Sequence, residues 1–154
     1  MAMRKRQSPK TLRSDARLAL AACAGWNSRL AARRITQFLD AKMAPAGLGI
    51  APVGLLAQIA VASDDTLGAL AERIGLDQST LSRNLKVLER DGLVEIAVVE
   101  RDQRRRMVWL TEQGARRLEA AIPLWRQAQA ALAAKLSPDL ANQLAAATGI
   151  LQDG

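Results

Sequence analysis

Three residues, Gly75, Leu76 and Asp77, separate two helical patterns. Before them Leu67, Leu70, Ala71 and Ile74 recur at steps of three, one and three, a single helical face. Asp65 or Thr66 is placed to cap that first helix. After them Leu81, Leu85 and Leu88 step by four and three, which predicts a second helix with one core-facing stripe over residues 77–91. A glycine just past a helix end closes it in the left-handed conformation. An aspartate starts the next helix by accepting its free N–H groups. Leu76, between them, is predicted to plug the corner. A stop and a start this close force a sharp helix–helix turn, which few folds accommodate.

Residues 91–110 narrow the choice of fold again. Asp91 and Gly92 end the second helix. Val94, Ile96 and Val98 alternate with Glu95 and Ala97, the period of a half-buried strand, and 107–110 return as a second apolar run. The loop expected between them carries Arg101, Arg104, Arg105 and Arg106. Helix, turn, helix and basic hairpin is the layout of a winged helix-turn-helix, which sets one helix in the major groove of DNA.

The polar residues of the second helix fit that use. Ser79, Ser82, Arg83 and Lys86 share a face, flanked by Gln78 and Thr80. Short hydroxyls and amides approach base edges closely, and Arg pairs bidentately with guanine. Lys86 and Arg90, further back, suit phosphates. Alone, the same face would serve an ordinary amphipathic helix, and the arginine run would serve a solvated loop. Placed beside each other, four arginines repel unless something negative sits near, and a phosphate backbone or minor groove meets that need. Asp102 is expected to support the wing by pairing with an arginine.

The stretches TLGALAERIGLDQSTLSRNLKVLERDGLVEI and ERDQRRRMVWLTEQGARRL resemble the multiple antibiotic resistance regulator (MarR) family of bacterial transcription factors. The most family-specific piece is Asp102 and Arg104 followed by a strand ending in Leu110 and Thr111. The resemblance implies a mainly α protein: a winged helix-turn-helix with a two-stranded wing, plus N- and C-terminal helices forming an intertwined dimerisation region. It implies a homodimer on a palindromic site in double-stranded DNA, commonly released by a small molecule or by cysteine oxidation. Carried over by residue, Ser79, Thr80, Ser82 and Arg83 stand at groove-reading positions and Arg104 at the wing tip.

Composition excludes most other classes. The chain has 154 residues, one cysteine and no histidine. That removes an internal disulfide framework, His-dependent zinc sites and Ser–His or Cys–His nucleophile pairs. No Gly-rich phosphate loop appears, so no enzyme activity and no cofactor are expected. Asp64 and Asp65 are adjacent carboxylates, but at a helix start, where negative charge suits the dipole. No apolar run reaches the ~18–20 residues of a membrane span, and the basic start lacks a signal-peptide pattern, which predicts a cytoplasmic protein without membrane contact. The net charge is +7. Residues 1–44 carry ten Lys/Arg against Asp15 and Asp40, whereas residues 63–117 balance ten with ten. The winged module is therefore basic by face and not by total. Arg4, Lys5, Arg6 and Lys10 form either a DNA-contacting arm or a solubilising tail.

The remaining segments divide into residues 1–45, a basic tail and first dimerisation helix; 46–110, the DNA-binding module; and 111–154, C-terminal dimerisation helices. One long helix is expected over 14–43 and a shorter one over 51–62, with Val53, Leu56, Ile59 and Ala60 inward. Thr111 opens a helix to about 136, where Pro123 is a candidate kink. Ser137 and Pro138 start the last helix, expected to reach 152. These terminal helices are alanine-rich with sparse leucines, and their simplest burial is against a second copy. Two recognition helices about one DNA turn, ~34–36 Å, apart then predict an inverted-repeat operator.

Cys23 is the one candidate redox switch. The peroxide-sensing branch of the family surrounds its first-helix cysteine with tyrosines, and this chain has none. Cys23 is therefore read as a small buried hydrophobe. Trp26 with Arg29 or Arg33 could line a pocket for an aromatic or carboxylate effector, although a tryptophan at helical spacing is more often core. Trp109 is expected to pack the wing onto the helices and Trp125 to lie in the dimer core. The leading reading is an effector-responsive dimeric repressor. An architectural DNA binder without an effector, and a protein-interaction module with a degenerate winged helix, are the alternatives.

Overall fold

The computed structural model describes residues 9–62, 66–99 and 102–152. Its helices are α1 (Pro9–Ala22), α2 (Ala24–Met43), α3 (Ile50–Ala60), α4 (Leu67–Ile74), α5 (Gln78–Arg90), α6 (Glu112–Ala133) and α7 (Pro138–Ala147). Two strands, β1 (Val94–Val99) and β2 (Asp102–Leu110), stand between α5 and α6. Single 3₁₀ turns occupy Ala44–Ala46 and Gly149–Gln152. The chain forms two compact units, residues 1–37 and 38–154.

The first unit departs from the sequence expectation. A single helix over 14–43 is replaced by α1 and α2 with a break at Cys23, and α1 begins at Pro9, a residue suited to a first helical turn. Side chains make the break. The Trp26 N–H donates to Cys23 Sγ at 3.4 Å and the Asn27 N–H to the Cys23 carbonyl at 3.0 Å, so Cys23 caps α2. Asn27 Nδ2 donates to the Ala21 carbonyl at 3.1 Å, satisfying an acceptor at the end of α1. Polar side chains that bond the backbone compete with the helix ladder, and Gly25 lowers the cost of interruption. Cys23 is exposed, which corrects its reading as a buried hydrophobe.

The second unit holds the core. Met43, Leu56, Leu70, Leu81, Leu85 and Val108 are almost fully buried. α3 packs on α6 and β2, α4 on α5 and β2, and α5 on β1. α3 starts at Ile50, whose N–H donates to Asp40 Oδ1 at 2.7 Å, and ends at Ala60 with Val53, Leu56 and Ile59 inward. Ala60, expected inward, is exposed because the helix ends on it. α6 runs through Pro123 as one helix, and Thr111 caps it by accepting the Gly114 N–H at 2.9 Å. Ser137 holds the cap position of α7 without a side-chain bond, and α7 gives way to a 3₁₀ turn before 152.

The end of α5 is tied to the start of α6. Thr111 Oγ1 donates to the Gly92 carbonyl at 2.6 Å, and the Thr111 N–H donates to the Leu93 carbonyl at 3.2 Å. A Cβ on Gly114 would stand 1.8 Å from the Leu93 carbonyl oxygen, so only glycine permits this approach.

Candidate nucleic-acid interface

The corner between α4 and α5 forms as its residues dictate. Thr66 caps α4 by accepting the Ala69 N–H at 3.3 Å. Gly75 closes it at φ +66°, in the left-handed region. Asp77 caps α5 by accepting the Thr80 N–H at 2.8 Å. Leu81, Leu85 and Leu88 are buried, so α5 is held by one apolar stripe. Leu76 is 37% exposed and does not plug the corner. Leu70 and Ala71 are the buried residues of α4, which packs on α5.

The opposite face of α5 is open. Gln78, Ser79, Arg83 and Lys86 are exposed, and Thr80 and Ser82 are half-buried. Asp77 organises the first turn. Its Oδ1 also accepts the Ser79 hydroxyl at 2.5 Å, and its Oδ2 accepts the Thr80 hydroxyl at 2.7 Å. The Ser79 hydroxyl, then the Thr80 hydroxyl and N–H, hold the Asp77 carboxyl well below the usual carboxylate range. Thr80 Oγ1 accepts from Arg83 Nη2 at 3.2 Å. Arg90 Nε pairs with Asp91 Oδ1 at 3.1 Å, at the surface.

The wing differs from its expected form. β2 begins at Asp102, so Arg104, Arg105 and Arg106 lie in a strand and not in a loop before residue 107. Val98 pairs with Arg106 and Val99 with Asp102. One step on β1 thus matches four on β2, a bulge that takes residues 103–105 out of register. Arg105 and Arg106 are exposed. Arg101, and the side chains of Asp102 and Arg104, lie outside the described residues, as do Arg4, Lys5, Arg6, Asp64, Asp65 and the Lys10 side chain. The face shared by Val94, Ile96 and Val108 turns to the core. Trp109, opposite Glu95, is on the other face and 36% exposed, so Val108 and not Trp109 packs the wing onto the helices.

Helix and wing meet around one groove of about 440 Å³, lined by Thr66, Leu67, Gly68, Gln78, Ser82, Arg105 and Arg106. Sequence reasoning missed the contribution of Leu67 and Gly68. The signal was present: a glycine in the first turn of a capped helix leaves backbone open to close approach. A second groove of about 430 Å³ lies between α3, the α4–α5 corner and α5, lined mostly by apolar residues that include Leu55, Leu76 and Val87. Trp26, Arg29 and Arg33 are all exposed on α2, and neither groove is lined by them.

Among the described residues no cluster of His, Cys, Asp and Glu could hold a metal ion, and no single helix is long and apolar enough to cross a membrane.

A sequence profile of the MarR family matches residues 46–105. No curated protein sequence matches the chain significantly. Solved structures do. The transcriptional regulator MosR of M. tuberculosis, in complex with DNA, is 35% identical, with a TM-score of 0.76 over 85% of this chain and 97% of that one. The S. aureus MepR–DNA complex is 23% identical, with a TM-score of 0.67 over 85% and 98%. A mutant of E. coli MarR complexed with operator DNA is 22% identical, with a TM-score of 0.70 over 86% and 96%. At their lower identity the last two speak for the fold alone. The capped helix pair, the two-stranded wing and the match to MosR over nearly its whole length together place this chain in the MarR family of DNA-binding transcriptional regulators.

Proposed function

We propose that the protein is a sequence-specific repressor that binds an inverted-repeat operator as a homodimer and is released by a small-molecule effector. The observation that carries the reading is the groove joining Gln78 and Ser82 of α5 to Arg105 and Arg106 of the wing. A base-reading helix needs phosphate contacts beside it to fix its register, and this groove supplies both from one surface. Gln78, Ser79, Thr80, Ser82 and Arg83 face base edges. Lys86, Arg101, Arg104, Arg105 and Arg106 meet the backbone or the minor groove, and Asp102 steadies the wing.

The homodimer reading rests on apolar surface. α1 exposes Leu12, Leu18 and Leu20, and the C-terminal region exposes Trp125, Leu140, Leu144, Ile150 and Leu151. Such side chains in quantity signal a partner, and a second copy supplies the two-fold symmetry that an inverted repeat mirrors. On this reading residues 1–45 and 111–154 dimerise and 46–110 bind DNA. Release by an effector is supported by the second groove, whose lining includes Asn84 and Val87 of α5 itself, so that an apolar ligand there acts on the recognition helix.

The test is binding to an operator drawn from the promoter region beside the coding gene, against scrambled duplex, across a salt series. A repressor prefers one inverted repeat by roughly 10³-fold or more and loses affinity steeply with salt. Steep salt dependence without preference would mean an architectural binder, and no binding at low salt an interaction module.

A further inference from the structure

The first turn of α5 contains more than a helix cap. The Asp77 carboxylate is ionised and has only acceptor sites, so both short contacts to hydroxyls are made with the protons of Ser79 and Thr80. Each hydroxyl has one proton and two acceptor sites. Ser79 has spent its proton and is exposed with lone pairs open. Thr80 has spent its proton on Asp77 and one lone pair on Arg83, leaving the other. At a base edge the two side chains therefore accept and do not donate.

The major groove distinguishes an acceptor from a donor. Adenine and cytosine present amino groups there, whereas guanine and thymine present only acceptors and, for thymine, a methyl group. We propose that Asp77 is a specificity-determining residue: by taking the hydroxyl protons of Ser79 and Thr80 it makes both side chains acceptors, and α5 selects adenine or cytosine over guanine or thymine on the strand they face. This rests on the reading that α5 enters the major groove. Asp77 itself need not touch DNA; it acts through the two hydroxyls.

Asp77→Asn separates this role from capping. The amide oxygen, in the place of Oδ1, still accepts the Thr80 N–H and the Ser79 hydroxyl, but the amide nitrogen, in the place of Oδ2, donates to Thr80 Oγ1, which frees the Thr80 hydroxyl to donate toward guanine or thymine. The experiment selects binders from a randomised duplex pool with three proteins: wild type, Asp77→Asn and the double variant Ser79→Ala with Thr80→Ala. The double variant identifies the positions the hydroxyls read. At those positions wild type is expected to enrich adenine or cytosine, and Asp77→Asn to reduce that preference roughly three- to tenfold at one of them, the one Thr80 reads, with the rest of the motif unchanged. An unchanged motif for Asp77→Asn, guanine or thymine at those positions in wild type, or no position lost by the double variant would overturn the proposal. A wild type that enriches no motif would overturn the groove-reading assignment itself, an outcome distinct from an unaltered motif. Far-UV circular dichroism checks the fold of each variant. If Asp77→Asn is unfolded, Asp77→Ser, which also caps but accepts from at most one hydroxyl, is read against the same outcomes.

Discussion

α5 and α1 are helices of nearly equal length, 13 and 14 residues, with opposite fates. α5 buries Leu81 and Leu85 completely, whereas α1 leaves Leu12, Leu18 and Leu20 at 62%, 69% and 55% exposure. α5 finds its partners within the same chain, on α4 and β1. The apolar side chains of α1 and α7 are satisfied, on our reading, only when a second copy is present. One chain thus holds two kinds of helix: those whose leucines are buried within it and those whose leucines stay exposed.

The largest effect should come from the buried side of α5. Leu85→Ala is expected to destabilise the protein by about 2–5 kcal/mol, read by denaturant unfolding, since its cavity is enclosed on all sides. Next comes the junction that joins reading head to α6. Gly114→Ala is expected to cost about 1–3 kcal/mol, because its Cβ meets backbone and not a flexible side chain. DNA binding should fall with it, as the Leu93 end of the wing must move. A normal melt and normal operator affinity for Gly114→Ala would show that the junction yields freely.

The exposed side of α5 should respond in binding and not in stability. Arg83→Ala is expected to lose about 1–3 kcal/mol of discrimination at one base position, whereas Arg106→Ala should weaken all sequences alike and reduce the salt slope by about one. Equal losses on every sequence for Arg83→Ala would remove it from base reading. α1 and α7 offer the sharpest contrast with α5. Leu18→Asn and Leu144→Asn should leave the stability of the winged module within roughly 0.5 kcal/mol while shifting sedimentation toward the monomer. Unchanged assembly with both variants would erase the distinction between the two kinds of helix.

The smallest effect is acidic. Because hydrogen bonds lower the folded-state pKa of Asp77 beneath the ordinary 3.8, its stabilisation is fully present above that value and is lost as pH falls below it. The difference in melting temperature between wild type and Asp77→Asn should therefore hold from neutrality down to mildly acid pH and shrink only below it. A difference that vanishes near neutral pH would contradict the hydrogen-bonded carboxylate.

Much of the reading head is legible residue by residue because its signals are local. A cap, a left-handed glycine or a leucine stripe is decided within one or two turns, and Thr66, Gly75, Asp77 and Thr111 all do what their types predict. The bulge in β2 is not legible. Consecutive positions rich in arginine read as loop because no alternation marks them, yet β2 runs through them, paired with β1 at Asp102 and again from Arg106. Leu76 and Trp109 mislead for a related reason: residue type predicts burial, but which face turns inward depends on what already fills the space. The break at Cys23 is hidden by the alanines around it, since helix propensity outweighs a sulfur cap on inspection.

The sequence by itself determined the order of elements from α3 to α7, the caps of α4, α5 and α6 and the family to which the chain belongs, because each of these is written in neighbours a few residues apart. The tertiary structure alone decided that Gln78 and Ser82 share a groove with Arg105 and Arg106, and that Gly114 lies against the Leu93 carbonyl. Residues of the two groups stand more than twenty positions apart, and only packing of α5 and the wing on a common core fixes the distance between them.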